Sequence, residues 1–131
     1  MRLVWYVALG SGLGGVARLL LGGWIQNRFG PSFPIGTLVI NVTGSLLLGF
    51  LLRYALETPA IGSDARALLT TGLCGGYTTF STFGYETVRL LEDGEYRRAA
   101  IYTALSVGLV LIAVASGMVL AREVVALRRR W

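Results

Sequence analysis

The chain has 131 residues, 54% of them hydrophobic and 15% charged, with a mean hydropathy of +0.64, which is the composition of a membrane protein and not of a soluble domain. All twelve basic residues are arginines and the formal net charge is +5, but no soluble surface exists to present that charge, so nucleic acid is excluded as a partner. The lack of histidine, of a metal-ligand cluster and of a nucleophile beside a base excludes an enzyme.

Four apolar stretches stand out at residues 3–25, 35–56, 67–91 and 99–121, each near the ~20 residues needed to cross a hydrocarbon core. The connections at 26–34, 57–66 and 92–98 hold all three prolines and are too short for a further domain. The expectation is an all-α membrane protein, one four-helix integral domain over 1–131, multi-pass in the cell inner membrane. The first stretch exceeds a signal-peptide core and has no small-residue cleavage pattern. Four crossings put both termini on one side, with seven arginines there (Arg2, Arg53, Arg66, Arg122, Arg128, Arg129, Arg130) against four opposite. That bias favours cytoplasmic termini, and the terminal arginine run suits anionic membrane lipid.

In the first stretch, Gly10 and Gly14 have the spacing of close helix packing, and Arg18 lies seven residues before the apolar run ends. The arginine reads either as snorkelling to the interface or as a vestibule cation that concentrates an anion. In the second stretch, Asn41, Ser45 and Gly49 recur at i, i+4 and share one small, polar helix face. An amide at that depth is costly unless bonded, so Asn41 is either interhelical glue or a pore-lining group.

The third stretch carries the run Gly72-Leu-Cys-Gly-Gly-Tyr-Thr-Thr-Phe-Ser-Thr-Phe-Gly84. Glycines remove side-chain cover and hydroxyls bond back to carbonyls, which predicts a break in the helix between Gly75 and Thr79. Broken membrane helices mark ion or substrate sites, and freed carbonyls can hold a hard cation. Phe80 and Phe83 fall on one face if the helix resumes, as core packing or with electropositive ring edges toward an anion. Ser81 and Thr82 turn elsewhere. Glu86 is read as an arginine partner or a vestibule carboxylate. Cys74 is alone and reads as a small buried thiol. The fourth stretch sets Tyr102 and Ser106 at i, i+4, two hydroxyl donors on one stripe that continues to Val110.

The Gly36-Thr-Leu-Val-Ile-Asn41-Val-Thr-Gly-Ser45 segment, the Gly72 to Phe83 run and the Gly-Gly-Val-Ala-Arg18 sequence together resemble the Fluc (CrcB) fluoride channels over essentially the whole chain. The resemblance implies an antiparallel, dual-topology homodimer with two fluoride pores and a central structural sodium ion. It implies that Phe80 and Phe83 line the pore with Asn41 as the pore amide. It assigns Tyr102, Ser106, Ser81 and Thr82 to a polar track. The backbone carbonyls of Gly75 and Thr78 would hold sodium, and at Val110 the track lacks the hydroxyl other members carry. The alternative from length and hydropathy is a small four-helix proton-coupled exporter, which needs an embedded carboxylate and has only Glu86 to offer.

Overall fold

The computed structural model describes residues 1–130 and is helical, with no strand among the described residues. Helix α1 spans Arg2–Phe29 and α2 spans Ile35–Glu57. A third segment follows in pieces: α3 (Ser63–Arg66), a π-helical run (Ala67–Cys74), α4 (Gly75–Tyr77) and, after a gap, α5 (Phe80–Glu92). Helix α6 covers Tyr96–Arg128. The helices α1, α2 and α6 are each long and apolar enough to cross a membrane, and the broken segment makes the fourth crossing.

Side-chain pairings fix the directions. Arg2 pairs with Asp64 at 3.1 Å, and Arg129 reaches the Glu57 carbonyl, so both termini and the 58–62 connection share one end. At the other end Gln26 holds the α1–α2 connection by donating to the Gly30 and Phe33 carbonyls and accepting from the Gly36 N–H. The segments therefore run up, down, up and down, as four crossings require.

Local chemistry explains the element ends. Gly30 takes φ 82 and sends its N–H to the Gln26 carbonyl, ending α1. Gly94 takes φ 75 while the Glu95 N–H returns to the Leu90 carbonyl at 2.8 Å, which closes α5 as a glycine C-cap. Helix α6 has 33 residues, about 50 Å at 1.5 Å per residue, against a hydrocarbon core of ~30 Å. Its last turn leaves the apolar layer, where Arg128 bonds the Tyr54 hydroxyl and lies over its ring.

The packing is that of a lipid-facing bundle. Leu19, Leu20, Leu111 and Ile112 are exposed, while Gly10, Gly14, Gly49 and Gly117 are buried. Lipid is as apolar as leucine, so helices associate through small residues that admit a neighbouring backbone. A methyl group on Gly14 would overlap the Leu73 carbonyl, and one on Gly76 would lie 2.5 Å from the Ser11 carbonyl oxygen. These contacts weld α1 to the first arm of the third segment.

The expected break is present, but at the far end of its window. Gly75 keeps helical angles (φ −64, ψ −39), and the chain leaves the helix at Thr78 (ψ 160) and Thr79 (φ −153, ψ 112). The glycine pair therefore does not itself unwind: Gly76 serves the close approach to α1. The π-helical run before it has no counterpart in the sequence reading. Thr70 in that run donates to the Arg66 carbonyl at 2.8 Å, the back-bonding that perturbs a regular ladder.

Candidate functional site

At the break, side chains take over the work of the missing helical bonds. The Thr79 N–H donates to Asn41 Oδ1 at 2.7 Å, and Asn41 Nδ2 returns a bond to the Thr79 carbonyl at 2.9 Å. Arg18 Nη1 donates to the Thr78 carbonyl at 3.1 Å. The Thr79 hydroxyl caps α5, accepting from the Thr82 N–H at 3.2 Å and donating to Thr82 Oγ1 at 2.9 Å. Because Asn41 takes the Thr79 N–H, the Gly75 carbonyl loses its i+4 partner. Backbone polar groups at membrane depth must be satisfied by protein, and here α1 and α2 supply the partners.

Two cavities flank Thr79. One, of about 280 Å³, is lined by Asn41, Ser45, Thr79, Phe80, Phe83 and Ser106, with Val110 beyond them. Ser106 is 7% exposed and its hydroxyl has no partner among the described residues. The other cavity, of about 390 Å³, is lined by Arg18, Gln26, Thr37, Thr79, Thr82 and Glu86. Gln26 and Gly36 in its wall set it toward the end where α1 and α2 connect.

Asn41, Thr78, Phe80, Phe83 and Ser106 thus share one cavity, while Arg18 and Thr82 share the other. Phe80 and Phe83 lie with centroids 5.5 Å apart, and Phe80 is 82% exposed. Ser81 and Gly75 are also exposed on the outer surface near the break. Tyr102 stands apart from the expected donor stripe. It is fully buried, its ring packs on Phe83 at 5.3 Å, and its hydroxyl donates to Glu86 Oε2 at 2.6 Å. Its one O–H is therefore spent. Asn41 likewise spends its oxygen and at least one N–H on Thr79, which serves the glue reading first and leaves at most one amide hydrogen for the cavity.

Three contributors were not legible as a group in the sequence. Thr37 donates to Glu86 Oε1 at 2.8 Å, so that carboxylate is held by two hydroxyls, with no arginine within ion-pair distance among the described residues. Gln26 pins the connection, and Phe33 from that connection meets Tyr102 edge-on at 5.5 Å. The aromatic series Phe33, Tyr102, Phe83 and Phe80 runs from the connection to the break. Phe33 beside two nearby prolines was its only sequence signal. No cluster of three or more histidine, cysteine or carboxylate side chains fit for a metal occurs among the described residues.

The family model for CrcB-like protein, Camphor Resistance (CrcB), matches residues 5–118. The chain belongs to the CrcB family. A relative from Rhizobium meliloti (strain 1021), named fluoride-specific ion channel FluC, is 43% identical over 125 residues, covering 95% of this chain and 100% of the relative. The FluC of Syntrophotalea carbinolica is 46% identical over 123 residues (94% and 99% of the two chains). That of Aquifex aeolicus is 47% identical over 103 residues (79% and 83%). The resemblance read from the Gly72 to Phe83 run is therefore borne out as CrcB membership. The CrcB match includes α1 from residue 5 onward, α2, the whole broken segment and most of α6, so every residue of both cavities lies inside it.

Proposed function

We propose that this chain is a fluoride-selective channel that lets fluoride leave the cell passively. The observation that carries the reading is the Ser106 hydroxyl, buried and unpartnered in a cavity walled by Phe80 and Phe83. A buried hydroxyl left unpaired costs about 1–3 kcal/mol, and a passing anion that accepts its proton removes that cost. The relatives' shared name as fluoride-specific channels supports the choice of ion.

Fluoride is small and strongly hydrated, and an idealised Born estimate for moving even a carboxylate-sized ion into low dielectric is on the order of 20 kcal/mol. Donors must replace its water step by step. Arg18 in the outer cavity raises the local anion concentration, and Thr82, whose oxygen already accepts from Thr79, keeps its own O–H to offer. Beyond Thr79 the Ser106 hydroxyl and the spare Asn41 N–H are neutral donors, while the phenylalanine edges narrow the path. Neutral donors hold an anion loosely enough for it to leave, as conduction requires.

The working unit in this reading is an antiparallel, dual-topology homodimer. Its support is the exposed surface at the break: Phe80, Ser81, Thr82 and Gly75 all face outward, an arrangement a second copy would cover. The carbonyls of Gly75 and Thr78 fit a sodium ion shared across the two-fold axis, since neither is tied into a regular helical ladder. Bound there, the ion would supply a fixed positive charge that ties the two broken helices together. Purified protein in liposomes tests the function: rapid passive fluoride efflux with strong exclusion of chloride is expected, and equal flux of both ions would refute it.

A further inference from the structure

The Thr78 carbonyl already has a cation on it. Arg18 Nη1 donates to that oxygen at 3.1 Å from a half-buried side chain, and no carboxylate lies within 4 Å of the guanidinium among the described residues. Glu86 borders the same cavity, its two oxygens accepting from Thr37 and Tyr102, and it makes no ion pair with Arg18. Arg18 is thus an ionised group at membrane depth whose hydrogen bond to protein is to one main-chain oxygen. Such a group is costly to keep, and it stays where it has a task.

We infer that Arg18 is a tethered competitor for the sodium site: its guanidinium and the sodium ion share the Thr78 carbonyl at each other's expense, and loading of sodium turns Arg18 into the outer cavity. The inference rests on the sodium part of the function proposed above. A carbonyl oxygen has two lone pairs, so geometry alone admits both partners. Two positive charges on one oxygen repel, however, and the repulsion is large where water is scarce. Of the two, the arginine has somewhere to go. The cavity beside it holds about 390 Å³ and offers the Thr82 hydroxyl and the Gln26 amide along its wall. Its release carries a positive charge from the break into the space where the anion enters, so an occupied sodium site would also be the state with the more attractive vestibule. Without sodium the guanidinium stays on Thr78 and satisfies the carbonyl end of the first arm, where a cation complements the helix dipole.

The test varies charge and length separately at position 18 in the full-length protein, reconstituted and in detergent. Parent, Arg18→Gln, Arg18→Met and Arg18→Lys are titrated with sodium chloride replacing N-methylglucamine chloride at constant ionic strength, and thermal unfolding is followed by tryptophan fluorescence. The sodium concentration giving half of the stabilisation should fall about tenfold or more in both neutral variants, the scale of effect expected when one unit charge is removed beside another, and Arg18→Lys should stay near the parent. If Arg18→Gln yields too little folded protein, Arg18→Met carries the same expectation. Neutral variants that match the parent, or need more sodium, overturn the inference while leaving the sodium site standing. A parent that gains no stability from sodium overturns both together.

Discussion

Asn41 stands in for a strand partner to Thr79, accepting its N–H at 2.7 Å and donating to its carbonyl at 2.9 Å, so one side chain on α2 closes both polar groups of one unwound residue on the third segment. The pairing makes the break a fixed feature of the fold. It also separates two properties of the amide that sequence alone leaves merged. The oxygen is needed by the backbone, and a nitrogen hydrogen is left to face the cavity.

Asn41→Asp follows directly. The carboxylate still accepts the Thr79 N–H, but its second oxygen confronts the Thr79 carbonyl with no hydrogen between them, and its charge repels an anion. Stability should fall by about 1–3 kcal/mol from the unsatisfied carbonyl, and fluoride flux should fall more than tenfold at equal folded protein. Chemical unfolding and liposome efflux, run on the same preparations, check both.

Ser106→Ala gives a prediction of opposite signs. The hydroxyl is buried with no partner among the described residues, so deleting it should leave stability unchanged or raise it by up to about 1 kcal/mol, whereas fluoride flux should drop severalfold. A variant that is both less stable and fully active would mean that the hydroxyl serves the fold and not the ion.

Phe80 and Phe83 should separate in the same pair of measurements. Phe83 packs on Tyr102 at 5.3 Å and Phe80 is 82% exposed. Replacing Phe83 by isoleucine should cost about 0.5–1.5 kcal/mol of aromatic packing, and Phe80→Ile should cost little within one chain. Fluoride flux should fall strongly in both, because isoleucine keeps apolar bulk and loses the electropositive edge. Full activity in either would return that ring to ordinary packing.

These contrasts mark what was legible in the sequence. The spans, their order and the break were readable because bilayer thickness and helix-breaking composition leave few alternatives, and helical spacing paired Phe80 with Phe83 and Tyr102 with Ser106, while the grouping of Asn41, Phe80, Phe83 and Ser106 into one pore came from the family resemblance alone. The partners were not readable. Tyr102 shares a stripe with Ser106 by periodicity, yet its hydroxyl goes to Glu86, sixteen residues earlier in the chain. That choice depends on how α5 leans on α6, which no local pattern encodes. The role of Thr37 is hidden for the same reason, and α6 outran its expected end because charged residues past Ala121 sit beyond the apolar layer.

Tyr102→Phe isolates that missed contact. Removing the hydroxyl leaves Glu86 with Thr37 alone, in a place where the ring is fully buried. The expected cost is about 1.5–3 kcal/mol, the range for a hydrogen bond to a charged group, with the ring contacts to Phe33 and Phe83 kept. Thr37→Val in the same background should then cost less than it does alone if both hydroxyls serve one carboxylate. A double-mutant cycle on thermal unfolding measures this, and strictly additive losses would show that the two act apart.

The last prediction sets the two adjacent glycines against each other. Gly76 faces the α1 backbone, where a methyl would lie 2.5 Å from the Ser11 carbonyl oxygen, and Gly75 is open, with the Thr70 carbonyl 3.9 Å from such a methyl. Gly76→Ala must push α1 away from the first arm and should destabilise by about 1–3 kcal/mol, the usual cost of overpacking. Gly75→Ala has helical angles and room within the chain, so the fold itself should gain up to about 0.5–1 kcal/mol from the lost glycine entropy. If a second copy covers the exposed break, the new methyl at Gly75 meets that copy instead, and the dimer fraction in lipid should fall while the stability of the single chain does not. Crosslinking yield and thermal unfolding read the two effects independently. Equal loss of stability in both variants would put the unwinding back at the glycine pair and away from Thr78 and Thr79.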